Sequence, residues 1–135
     1  MARFARIITA SPADIDELGH VNNAVWVAWI QDLAVAHWNA LATAAERDAC
    51  IWVVTRHEID YRGNLRVGET VTAETWVPDP PRGARFDRQV RFLSAQGKVL
   101  VAAVTSWALI DRASGRLMRV PADMAERFRE GPATS

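Results

Sequence analysis

The segment Asp14-Ile15-Asp16-Glu17-Leu18-Gly19-His20-Val21-Asn22-Asn23 is the densest run of chemically capable side chains in this sequence. It places carboxylates, an imidazole and two amides directly ahead of a stretch free of Gly and Pro. Asparagine is a favoured helix cap. The first N–H groups of a helix lack intrahelical acceptors, so a helix start offers donors and positive potential. A carboxylate a few residues upstream, turned back by Gly19, can face the same point. Attack on an activated carbonyl needs that pairing: a nucleophile or base beside the carbon, and donors for the developing oxyanion. Asp and Asn ahead of a helix also serve as plain caps and turn formers, and a turn histidine such as His20 often makes only a backbone hydrogen bond. Spacing alone leaves both readings open.

Other reactive residue types are scattered. His37 falls in mid-helix and His57 in a strand pattern, where structural roles are expected for both. Three dispersed histidines give no H-E-x-x-H or comparable metal spacing, so no metal is expected. Cys50 is a lone cysteine and reads as a small buried hydrophobe, which leaves no internal disulfide framework. Arg82, Arg85, Arg88 and Arg91 suit phosphate contacts, and a solvated sheet edge explains them equally well. Gly63, Gly68 and Gly83 are isolated punctuation rather than a nucleotide-binding loop.

The elements that must position the 14–23 turn follow from periodicity. Phe4 to Thr9 reads as a first strand, broken by Ser11-Pro12-Ala13-Asp14. From about Asn23 to Ala45, Ala, Leu, Gln and Trp dominate, which predicts a long helix. That helix is apolar nearly all round, with Ala24, Ala28, Ala36 and Ala40 forming a small-residue ridge that permits close approach of another element. Strand patterns then run over Ile51–Tyr61, Val71–Val77, Phe86–Leu93 and Val99–Ile110. In the third of these, Phe86, Arg88, Val90 and Phe92 share one side. Ser94-Ala95-Gln96-Gly97 predicts a hairpin connection. Pro121 starts a short C-terminal helix whose buried edge is Met124 and Phe128, and residues 131–135 are expected to fray. The order is strand, long helix, then four strands. A helix without a polar face needs a curved sheet around it, and one sheet cannot cover all of it, so a second subunit is a natural supplement.

Composition excludes several function classes. The chain has 135 residues, 50% hydrophobic and 24% charged, which is one domain's worth and too apolar for a disordered chain. Sixteen Lys+Arg balance sixteen Asp+Glu, so the basic excess of a nucleic-acid binder is missing. No window reaches the roughly 18 apolar residues of a membrane span, and the N-terminus has no signal-peptide pattern. A cytoplasmic protein without nucleic-acid or membrane partners is expected.

The 14–23 motif, continued by Ala24-Val25-Trp26 and Trp29, resembles the signature of hotdog-fold thioesterases. The groups it is most similar to are the 4-hydroxybenzoyl-CoA thioesterase-like enzymes and the acyl-carrier-protein thioesterases. Glu58-Ile59-Asp60-Tyr61 and Gly68-Glu69-Thr70-Val71 resemble strands of the same family, and the likeness spans about residues 3 to 112. It implies an α+β fold over residues 1–135: one hotdog domain with a long helix wrapped by a five-stranded antiparallel sheet. The implied activity is hydrolysis of an acyl-CoA or acyl-carrier-protein thioester, with no cofactor. Asp16 matches the nucleophile or general base, and Asn23 the position whose backbone N–H polarises the thioester carbonyl. Gly19 matches the turn glycine, while His20 and Asn22 match the His-Val-Asn-Asn pattern of the acyl-carrier branch. Leu18 departs from the asparagine of plant acyl-carrier thioesterases, and Trp26 from the tyrosine of many relatives. Trp26 and Tyr61 are expected to line an acyl pocket, Trp29 to serve chiefly the core. The resemblance also implies a homodimer or homotetramer, paired through the Ile51–Tyr61 strand, with each site shared between subunits. A non-catalytic acyl-thioester binding module and a hotdog dehydratase or cyclase are the alternatives.

Overall fold

Alternating and β-branched runs become five strands: β1 (Phe4–Thr9), β2 (Cys50–Tyr61), β3 (Thr70–Trp76), β4 (Arg85–Ser94) and β5 (Val99–Asp111). The computed structural model describes residues 3–130, so the expected fraying of 131–135 lies outside the described residues. All neighbouring strands are antiparallel, in the order β1-β3-β4-β5-β2. Period-two alternation puts Val71, Ala73 and Thr75 of β3 and Phe86, Val90 and Phe92 of β4 on the buried side. The predicted hairpin joins β4 to β5: Ser94 N–H donates to the Lys98 carbonyl at 2.8 Å, and Gly97 takes φ +83°.

Helix α1 (Asn23–Leu41) lies across this sheet. Its buried residues Trp26, Trp29, Ile30, Leu33, Ala34 and His37 fall three and four apart, on one stripe. Trp26, Trp29, Ile30 and Leu33 pack with Val71, Ala73, Val90, Phe92, Val101 and Ala103 into the main core. The sheet covers only that stripe. Ala24, Ala28 and Val35 of the opposite face stay exposed, Val35 at 45%.

The helix is shorter than its composition predicts. It ends at Leu41 rather than Ala45, because Ala42 turns extended and a second helix, α2 (Ala44–Ala49), begins. Thr43 Oγ1 accepts from Glu46 N at 3.1 Å while Glu46 Oε1 accepts from Thr43 N at 2.8 Å. This reciprocal capping box is worth about 1 kcal/mol, enough to restart an alanine-rich helix in a new direction.

Helix α3 (Ala122–Glu130) follows Pro121, and Met124 and Phe128 are buried in a second core cluster with Val77, Phe86 and Leu109. Arg127 fastens it to the α1–α2 corner. Its guanidinium donates to both Glu46 carboxylate oxygens, at 2.6 and 3.2 Å, and to the Leu41 carbonyl at 3.0 Å. Those hydrogen bonds pull the Glu46 carboxyl below the ordinary range despite partial burial.

Strand β2 pairs only with β5, so its outer edge is open among the described residues. A bulge between Val54 and Arg56 switches its faces: Cys50 and Trp52 turn inward before it, His57 and Ile59 after it. No described helix is long and apolar enough to cross a membrane.

Candidate active site

The 14–23 segment closes on itself as a turn. Asp16 N–H donates to the His20 carbonyl at 2.8 Å, and Gly19 N–H returns to the Asp16 carbonyl at 3.1 Å. Gly19 sits at φ +77°, a left-handed conformation costing roughly 1–2 kcal/mol for other residues. Within the turn, Asp16 Oδ1 accepts from the backbone N–H of Leu18 at 2.9 Å and of His20 at 3.2 Å. Among the described residues Oδ2 accepts nothing, and Asp16 is exposed. The carboxylate is therefore oriented by one oxygen and presents the other.

The flanking groups mostly hold this turn. Asp14 Oδ2 bends back to the N–H and hydroxyl of Ser11, both at 2.9 Å, and so belongs to the preceding 3-10 turn. Ile15 and Val21 form an isolated antiparallel bridge. Asn22 is the cap of α1, with Oδ1 accepting from Ala24 N–H at 2.9 Å. Its carbonyl accepts from Val25 and Trp26. Asn23 N–H, next in line, donates no hydrogen bond to any described residue. It is the vacant donor at the positive end of the helix. His20 is part-buried, and its ring makes no hydrogen bond to a described residue.

Tyr61 reaches the same place from the end of β2. Its hydroxyl donates to the Asn23 carbonyl at 3.4 Å, and 48% of the residue is exposed. Asn64, which residue spacing did not single out, supports the turn from below. Its Oδ1 accepts from Val21 N–H at 2.9 Å and from Leu65 N–H at 2.8 Å. Trp26 differs from its expected place on a pocket wall. It is fully buried, edge-on to Trp29 and Phe92 with ring centroids 5.1 Å apart in both pairs, and its indole N–H is unpaired. Large apolar rings at helix spacing have gone to the core, where their burial stabilises most.

The remaining titratable groups lie elsewhere. Asp87 draws Arg82 and Arg85, at 3.5 and 3.1 Å, and Glu74 draws Arg91 at 3.1 Å. Arg88 corrects the sheet-edge reading, since β4 runs between β3 and β5 and Arg88 points beneath α1. Its Nη1 donates to His37 Nδ1 at 2.8 Å and to Thr75 Oγ1 at 3.0 Å. Burial, and then the charge of Arg88, push His37 down to about 3, so the ring is neutral and its Nδ1 accepts. His57 is also lowered by burial, with Nδ1 3.0 Å from Thr105 Oγ1. Cys50 is buried and its thiol is raised by that burial. Among the described residues no three His, Cys, Asp or Glu side chains converge as metal ligands.

A family model described as the Thioesterase-like superfamily matches residues 10–128, from the end of β1 to α3. The chain belongs to that superfamily. Its sheet and helix arrangement is the hotdog thioesterase fold. A probable thioesterase of Bartonella henselae superposes with TM-score 0.76 at 22% identity, covering 90% of this chain and all of the other. A Staphylococcus aureus protein solved in complex with CoA superposes with TM-score 0.84 at 15% identity, covering 99% and 88%. In sequence, a chloroplastic acyl-[acyl-carrier-protein] hydrolase of Cuphea viscosissima is 25% identical over 78 residues, 58% of this chain. This hotdog chain spans only 19% of that relative's length.

Proposed function

We propose that this chain hydrolyses the thioester of an acyl-CoA or acyl-carrier protein, releasing a carboxylic acid and a thiol. The observation that carries the reading is the pairing, within eight residues, of an oriented carboxylate on Asp16 with the vacant N–H of Asn23. The thioester oxygen takes the Asn23 N–H, where the helix end favours developing negative charge. Asp16 Oδ2 then either attacks the carbonyl carbon and expels the thiolate, leaving a mixed anhydride that water opens, or removes a proton from the attacking water. Both routes yield the same products. CoA and carrier protein both remain as acyl donors, in keeping with the relative solved with CoA and the relative named for carrier-protein hydrolysis.

The working unit in this reading is a homodimer, able to pair again into a tetramer. Support comes from the open twelve-residue edge of β2 and the uncovered Ala24, Ala28 and Val35 face of α1. Antiparallel pairing of two β2 strands removes both open edges and brings two helices side by side. Such an interface buries at least ~1,200 Å² in total.

The test is a panel of acyl-CoA and acyl-carrier-protein substrates with thiol detection. Asp16→Ala should lower kcat/KM by about 100-fold or more on every substrate turned over, as expected for loss of a reacting group. Wild-type rates in the variant would rule out the mechanism.

A further inference from the structure

The C-terminal half of α1 borders a cavity of about 390 Å³, within the usual size range of small-molecule pockets. Its lining begins at Gln31, eight residues and roughly 12 Å along the helix beyond Asn23, while His37, which Arg88 contacts, lies fourteen residues and roughly 21 Å beyond it. Arg88 is thus remote from the vacant N–H of its own chain. Aromatic side chains form the cavity walls: Trp38, Trp52, Phe86, Trp107 and Phe128. Such walls suit an apolar or aryl ligand body.

Its polar groups are one-sided. Arg88 lines the cavity with only Nη1 engaged, by His37 and Thr75, neither of which carries charge to oppose it. Nε and Nη2 have no acceptor among the described residues, and no described carboxylate lies within ion-pair distance. Burial lowers Arg88 only to about 10, which leaves it cationic at neutral pH. Arg47 and Arg112 also border the space and form no ion pair with a described acid. Asp87 is the bordering acid, and its carboxylate is paired with Arg82 and Arg85. Trp107 adds a buried indole N–H with no acceptor. Holding a partly buried cation against neutral partners alone costs free energy. An entering anion offsets that cost, and a carboxylate matches the guanidinium fork.

We propose that this cavity is a binding site for a carboxylate carried on an apolar or aromatic body, with the carboxylate on Arg88 and the body among the tryptophan and phenylalanine rings. The carboxylate has two possible sources: a free acid, or the far end of an ω-carboxyacyl thioester. The second rests on the thioesterase reading; the first does not.

The experiment titrates the full chain at pH 7.5 with 4-phenylbutyrate and with its neutral counterpart 4-phenylbutan-1-ol, followed by tryptophan fluorescence and calorimetry. The acid should bind at least tenfold more tightly than the alcohol, and Arg88→Met should erase the preference while leaving alcohol affinity in place. Equal affinities in the wild type, or no binding of either probe up to millimolar concentration, overturns the proposal even if the variant fails to fold. Retention of the preference in a folded Arg88→Met protein overturns it as well. A hydrolysis arm then separates the sources by comparing hexadecanedioyl-CoA, whose acyl chain is long enough to span the distance from Asn23 to Arg88, with palmitoyl-CoA. A tenfold fall in their rate ratio on Arg88→Met assigns the site to the thioester. An unchanged ratio with lost acid affinity assigns it to a free acid. Asp16→Ala should bind 4-phenylbutyrate as the wild type does, so failure of the catalytic reading and failure of this site are told apart.

Discussion

Replacing Asn23 by proline isolates the proposed oxyanion donor from everything else in the turn. Proline lacks the N–H, which is the one group of Asn23 assigned to chemistry. It is also well tolerated at the first position of a helix, where its fixed φ fits and its missing donor is an orphan in any case. Asn23 holds that position, directly after the cap Asn22. Asn22 already has φ −59° and ψ 138°, the extended conformation that a following proline demands. The Asn23 side chain is exposed, and its carbonyl, which receives the Tyr61 hydroxyl, is retained. Stability should therefore change by about 0.5 kcal/mol or less, the usual effect of surface substitutions away from special features. Catalysis should suffer far more. Removing one oxyanion donor costs about 10²–10³ in kcat, or roughly 2.7–4 kcal/mol. The assay is steady-state thioester hydrolysis with thiol detection, beside urea unfolding of the same samples. Asn23→Ala, which keeps the N–H, should retain kcat within a few-fold. A folded Asn23→Pro enzyme with wild-type kcat would refute the helix start as the oxyanion site.

Two further outcomes are expected. With Asp16 and Asn23 of one chain paired, mixed Asp16→Ala and Asn23→Pro chains should stay inactive as heterodimers, and recovery of part of the lost activity would instead establish a site shared between subunits. His37 should make folding pH-dependent, because its folded value of about 3 lies below the ordinary 6.5 and protons then favour the unfolded chain. Its stabilisation is full above pH 6.5 and is lost as pH falls towards 3, about 2 kcal/mol of it between pH 7 and 5. Urea midpoints should show that slope flattened in His37→Gln, and an unchanged slope would contradict a neutral buried ring.

What the sequence revealed divides by distance along the chain. The strands were legible because alternation and turn residues are local signals, and β1 (Phe4–Thr9) and the Ser94–Lys98 hairpin occur where those signals lie. The end of α1 was not, because Ala42 to Ala45 continue an alanine-rich run, and only Thr43 and Glu46, three apart, mark the new cap. Within the turn, residue types left caps and chemistry both open, and it was the family resemblance that implied Asp16, Gly19 and Asn23. Yet types could not say that one oxygen of Asp16 is tied to two N–H groups while the other is left open. Asn64 lies 43 residues from the Val21 N–H it holds, and no spacing rule joins them.

Arg88 shows the limit most sharply. Alternation placed it correctly on the side of Phe86, Val90 and Phe92, and that side is the buried one. An arginine on a buried face is a contradiction that sequence can register but not resolve, because resolution depends on what else arrives there. Here His37 comes from α1, 51 positions away, and Thr75 from β3, 13 positions away, and both take the same guanidinium nitrogen. Neither supplies a negative charge. Local consistency settles most of a fold, and the residues that break it are those whose partner must come from elsewhere. For Asp16 the proposed partner arrives with the substrate, as the carbonyl carbon or the attacking water. For Arg88 the proposed partner is an anion, and the guanidinium nitrogens without an acceptor among the described residues are the reason to look for one.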